Sequence, residues 1–109
     1  MTDAGAIEAV ERILNRGGDA DDVLRDVLAV LVERGATDWA GIAFHEDESL
    51  ALGPSVGIDR PAEVETRPIA LDGRDVGELW TAPGGDAAVL DRVAVIVSPY
   101  VPLDTGGAR

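Results

Sequence analysis

Three side chains in the second half of the chain have the clearest chemical potential: Arg67, Glu78 and Trp80. They flank Asp72-Gly73, a preferred pair for the two-residue loop of a type I′ hairpin. With that loop, Leu71 faces Arg74, Ile69 faces Val76, and Arg67 faces Glu78. One face of the hairpin then carries Glu65, Arg67, Ile69, Val76, Glu78 and Trp80. The other carries Val64, Thr66, Ala70, Gly77 and Leu79, whose small residues suit close packing of a helix. On the first face Arg67 would hold a carboxylate or phosphate, Glu78 an amine, and Trp80 would stack on a flat or cationic group. These three are the candidate ligand-binding residues. The spacing also has a structural reading, in which Arg67 and Glu78 form a cross-strand ion pair worth about 0.2–1 kcal/mol and Trp80 fills space.

Other groups offer less. Asp19, Asp21 and Asp22 have the look of a divalent-cation cluster, but they sit where a helix begins, and capping accounts for them. His45, followed by Glu46, Asp47 and Glu48, reads as a solvated hairpin loop. Ser49, Ser55 and Ser98 stand in no nucleophile–base motif with that lone histidine. There is no cysteine, which removes thiol nucleophiles, disulfides and Cys-type zinc sites. With a single His, a His-based metal site is not expected either. No catalytic residue, metal or cofactor is therefore expected.

The 109 residues suit one domain, with a net charge of -12 from 21 acidic residues and 9 basic ones, every one of them Arg. Such a charge repels a phosphate backbone, so nucleic acid is not an expected partner. Hydrophobic residues make up 46%, which argues against disorder. No apolar run reaches the roughly 18 residues that span a bilayer, and the Met1-Thr2-Asp3 start has no basic secretory region. A cytoplasmic location with no membrane partner is expected. The acidity is a solubility feature or an adaptation to high salt.

The elements that must position these residues follow from periodicity. Ile7, Val10 and Leu14 lie on one helix face, closed by Arg16 and Gly17. Asp19 is placed to cap a second helix with a broad stripe of Val23, Leu24, Val27, Leu28 and Leu31, stopped at Arg34-Gly35. Trp39 to Phe44 suits a buried strand, and His45 to Ser49 a reversal. Leu50 to Leu52 then makes a second strand, stopped by Gly53-Pro54. After the Asp72-Gly73 hairpin, Pro83-Gly84-Gly85 breaks the chain and Asp86 caps a last helix, Ala87 to Val97. Asp91 and Arg92 in mid-segment favour helix over a Val-rich strand. The segment is apolar nearly all round, more than one buried stripe requires, and so predicts a second face for a partner. Pro99 and Pro102 end it, and 102–109 form a loose tail. The order helix, helix, hairpin, hairpin, helix predicts an α+β fold: a small antiparallel sheet of about four strands with its helices mainly on one face.

Order and local motifs together resemble the GAF domain family over roughly residues 5 to 101. Trp39-Ala40-Gly41-Ile42-Ala43 is similar to the family's first strand. Leu50-Ala51-Leu52-Gly53-Pro54-Ser55-Val56-Gly57 is similar to the next strand and its Gly-Pro exit. Pro68, Asp72-Gly73-Arg74, Gly77 and Leu79 fall at the spacing of the late hairpin. The motifs come nearest to the free methionine-R-sulfoxide reductases. Those enzymes use cysteines, so their activity does not carry over. Where their pocket has acids on the late strand, this chain has Trp80 and Ala82, and Glu65 is one residue out of register with another. Family members also have a substantial segment between the hairpins that caps the ligand pocket. Here only Ile58 to Glu63 joins them. Neither a cyclic-nucleotide signature nor a bilin-attaching cysteine is present.

The resulting expectation is a shortened, single GAF-like domain acting as a non-enzymatic interaction or regulatory module, homodimeric through Ile69, Val76, Val89, Val93 and Ile96. The alternative is a small-molecule sensor with a shallow site at Arg67, Glu78 and Trp80.

Overall fold

A computed structural model of the chain describes residues 2–46, 49–57 and 61–101. Asp47 and Glu48 of the first reversal, part of the hairpin connection and the tail 102–109 lie outside the described residues.

Helix α1 spans Thr2–Arg16 and helix α2 spans Ala20–Glu33. Val10 of α1 is fully buried, with Ile7 and Leu14 packed beside it, as one-face spacing requires. The buried residues of α2 are Val23, Leu24, Val27, Leu28 and Leu31, the predicted stripe residue for residue. Its end is a Schellman closure: Gly35 takes a positive φ of 81°, Gly35 N–H bonds Val32 O, and Ala36 N–H bonds Leu31 O. Asp19 occupies the N-cap position, but its side chain makes no cap hydrogen bond. Its contribution, like that of Asp21 and Asp22, is the attraction of a carboxylate to the helix N-terminus.

The sheet has strands β1 (Ala40–Glu46), β2 (Ser49–Val56), β3 (Glu65–Leu71) and β4 (Arg74–Thr81), all antiparallel, in the order β2-β1-β4-β3. Gly53-Pro54 does not stop β2 as expected. Gly41 pairs with Ser55 and Ala43 with Leu52, so β2 spends three residues on two of β1. The surplus falls at Gly53-Pro54, a bulge on an edge strand, where the missing proline N–H costs no ladder bond.

Asp72 (φ 55°) and Gly73 (φ 79°) form the predicted turn, and Leu71 pairs with Arg74. The register beyond differs from expectation. Ala70 pairs with Asp75, but Ile69 pairs with Gly77, leaving Val76 as an extra residue on β4. Arg67 therefore opposes Leu79, and Glu78 opposes Pro68. The reason is packing. Val76 and Leu79 are both buried in one core cluster, although three positions apart. Strict alternation would send them to opposite faces, and a bulge lets both point inward.

Helix α3 covers Ala87–Ile96, capped by Asp86 accepting from Val89 N–H at 3.3 Å, and a short 3-10 turn follows at Ser98–Tyr100. All three helices pack their buried residues into one cluster with Ala40, Ile42, Ile69, Val76 and Leu79, so they share one sheet face. This confirms the α+β architecture. It also relocates four residues expected at a dimer interface. Ile69, Val76, Val89 and Val93 are buried in the chain's own core, and Ile96 is partly buried against it. The apolar excess of α3 is absorbed within the chain except at Val95, which is 67% exposed.

Since the core is one cluster, a hole in it is felt throughout. Leu79→Ala is expected to destabilise the fold by about 2–5 kcal/mol, read from the shift of the urea unfolding midpoint.

Candidate functional site

The bulge at Val76 determines which candidate residues meet. Below it, the side of β4 carrying Leu79 and Thr81 faces the helices, and Arg67, opposite Leu79, joins them. Glu78 and Trp80 point to the opposite side. The structure therefore brings Glu78 and Trp80 together and places Arg67 across the sheet from them, not in a common site.

On the helix side, the Arg67 side chain is only 16% exposed. Its Nε donates to Asp91 Oδ1 of α3 at 2.7 Å, and one terminal nitrogen donates to Thr81 Oγ1 at 3.4 Å. Glu65 Oε1 lies 3.9 Å from that nitrogen, and Glu65 Oε2 accepts from Gly84 N–H at 3.4 Å. Thr81 is fully buried, so the contact with Arg67 matters to it: a buried hydroxyl without a partner is costly. Above Arg67 lies an open cleft of about 540 Å³, lined by Glu65, Thr66, Arg67, Gly85, Ala87 and Asp91.

The opposite face is different. Trp80 Nε1 donates to Glu78 Oε1 at 2.8 Å, both side chains being half-buried. The side chains they neighbour on β1 are Gly41, opposite Trp80, and Ala43, opposite Glu78. Gly41 must be small. A Cβ built there would sit 2.9 Å from Leu52 Cδ1 and 3.0 Å from the Trp39 ring. Trp39 and Leu52 thus lie over the sheet on this side, and Trp39 is nearly fully buried. Along β3, Thr66, Pro68 and Ala70 are exposed.

Sequence reasoning missed Asp91 and Thr81 as partners of Arg67. Asp91 is 24 positions away in a helix, where only its helix-favouring role was visible. Thr81 continues the alternation of β4, and its role became readable only with the bulge in place. Glu65 was placed on the same strand face as Arg67, and the structure keeps it there. His45 is half-buried next to the reversal, and among the described residues no group of three or more His, Asp or Glu could hold a metal ion. No helix among them is long and apolar enough to cross a membrane.

A double-mutant cycle distinguishes the two registers. Coupling between Arg67 and Asp91 should be about 0.5–1 kcal/mol, discounted for the exposed carboxylate and weakened by salt. Coupling between Arg67 and Glu78 should be indistinguishable from zero. Urea unfolding of the single and double alanine variants measures both.

No protein-family model matches the sequence, and no curated protein matches it. Solved structures do share its fold. A type II free methionine-R-sulfoxide reductase from Thermoplasma acidophilum superposes with a TM-score of 0.62 at 16% identity, covering 75% of this chain and 92% of that one. The GAF domain of a phosphoenolpyruvate-protein phosphotransferase from Acinetobacter superposes with a TM-score of 0.65 at 13% identity, covering 88% and 92%. The chain has a GAF-like fold.

Proposed function

We propose that this chain is a non-enzymatic interaction or regulatory module that works as a homodimer through the sheet face opposite its helices. One observation supports the reading above the others: among the described residues no helix covers that face, yet its residues are not those of a solvated sheet. An antiparallel sheet facing water alternates apolar and polar sides. Here the outer side carries Leu52, Pro68, Ala70 and Trp80 around the buried Trp39, Gly41 and Ala43, with Ser55 and Thr66 as its small polar residues and Glu78 engaged by the Trp80 ring nitrogen. Small residues around a half-exposed tryptophan suit a contact surface with an aromatic anchor.

A second copy seated by a two-fold axis would meet the same face with itself. This replaces the expected interface, whose residues are mostly in the core. Among the described residues the face around Trp80, the exposed Val95 and the partly buried Ile96 remain as contact candidates. The absence of cysteine and the single histidine in the sequence support a non-enzymatic role. A GAF-like fold is compatible with a regulatory or ligand-binding domain.

Two copies bring together two charges of -12. Their repulsion is screened by salt, so the dimer should tighten as ionic strength rises. Size-exclusion chromatography with light scattering should give a dimer mass at micromolar concentration. Trp80→Ala should weaken dimerisation by roughly 30-fold or more, the effect of losing a central aromatic anchor of about 2 kcal/mol. A monomer at both low and high salt sinks the reading.

A further inference from the structure

The cleft between β3 and the start of α3 lies on the other side of the sheet from the proposed dimer face, and its charges alternate. Arg67 forms the floor, and Glu65 and Asp91 form the rim, with side-chain exposures of 46% and 69%. We propose that this cleft binds a small zwitterion, a ligand with a carboxylate and a primary ammonium a short distance apart, such as a short amino acid.

Three observations lead there. First, the guanidinium is held in place before any ligand arrives. Asp91 takes its Nε and Thr81 one terminal nitrogen, while Nη2 has no hydrogen bond among the described residues. A cation already ordered loses little freedom when it receives a carboxylate. Second, the rim carboxylates retain capacity. Asp91 Oδ2 has no hydrogen bond among the described residues, and Glu65 meets only a long bond from Gly84 N–H and a 3.9 Å approach of Arg67. Either can accept from an ammonium.

Third, the arrangement of the charges, rather than their sum, selects the ligand. One Arg and two acidic residues leave the cleft at -1. A phosphate or a dicarboxylate reaching Arg67 would meet two carboxylates with no positive group of its own to offset them. A simple amine would reach the rim but leave the free Arg67 nitrogen without a partner. A ligand bearing both charges gives each a partner, and its ammonium offsets the carboxylates that its own carboxylate meets. Thr66, Gly85 and Ala87 complete the lining with no aromatic ring and no long apolar side chain, so the cleft offers the rest of the ligand little apolar contact. The missing aromatic also disfavours a quaternary ammonium, which would need a ring face to replace its hydrogen bonds.

The test is a titration of the full 109-residue chain, followed by two-dimensional amide NMR, with glycine as probe and with acetate and methylamine as its two single-charge halves. Glycine should give saturable shifts confined to the amides of Thr66, Arg67, Gly85 and Ala87. Acetate and methylamine should each bind at least about tenfold more weakly, since each lacks one charge-assisted contact. Arg67→Gln and Asp91→Asn should each weaken glycine by about tenfold on the same grounds. Glu65→Gln, which leaves the Arg67–Asp91 pair in place, should weaken glycine while preserving a folded spectrum, so the test survives if the other variants unfold. No saturable shift with glycine overturns the proposal, and so does equal binding of either half-ligand. Glycine affinity unchanged in folded Glu65→Gln and Asp91→Asn variants also overturns it. A chain that is monomeric by light scattering yet binds glycine here would refute the dimer and leave this site standing.

Discussion

The extra residue at Val76 is the constraint on which the rest of this structure depends. A four-stranded sheet with three helices on one side has a single core, and β4 runs through its middle. The strand supplies two large buried groups, Val76 and Leu79, an odd number of positions apart. Regular pleating cannot bury both on one side. The bulge resolves the conflict at the cost of one ladder position and turns every β3 partner beyond it by one residue. That turn carries Arg67 to the helix side and leaves Glu78 and Trp80 on the other.

Once Arg67 faces the helices, it needs partners there, since a mostly buried guanidinium without them would be strongly destabilising. Asp91 and Thr81 supply them: Asp91 fastens the edge strand β3 to α3, and Thr81 adds a side-chain tie to β4. Tyr100 makes a comparable tie at the far end, its hydroxyl donating to the Leu14 carbonyl at 3.2 Å. Pro68 in mid-β3 blunts that edge against pairing with another chain. The remaining ion pairs among the described residues, such as Arg16–Asp26 and Arg25–Asp21, are exposed and contribute little each. Stability therefore rests on the shared core rather than on the abundant surface charge.

The two faces of the sheet consequently offer different chemistry. The helix side ends in a polar cleft with alternating charges. The outer side offers small apolar groups around a hydrogen-bonded tryptophan. The sequence alone had merged these into one site, because an ideal two-residue hairpin puts Arg67, Glu78 and Trp80 on the same side.

What was legible in the sequence was local. The α2 stripe, the Gly35 closure, the Asp86 cap and the Asp72-Gly73 turn depend on residues within one turn of each other, and each was found where its residue types required. The order of elements, and with it the α+β class and the GAF-like resemblance, followed from stringing those local signals together. What only the tertiary structure decided was non-local. Gly53-Pro54 became a bulge rather than a stop because β2 lies at an edge. Ile69, Val76, Val89 and Val93 became core rather than interface because three helices converge on one face. Arg67 found Asp91 because Val76 and Leu79 both required the same core. A sequence read through its periodicity assumes regular strands, and the register of a strand is settled by whichever side chains compete for one buried volume.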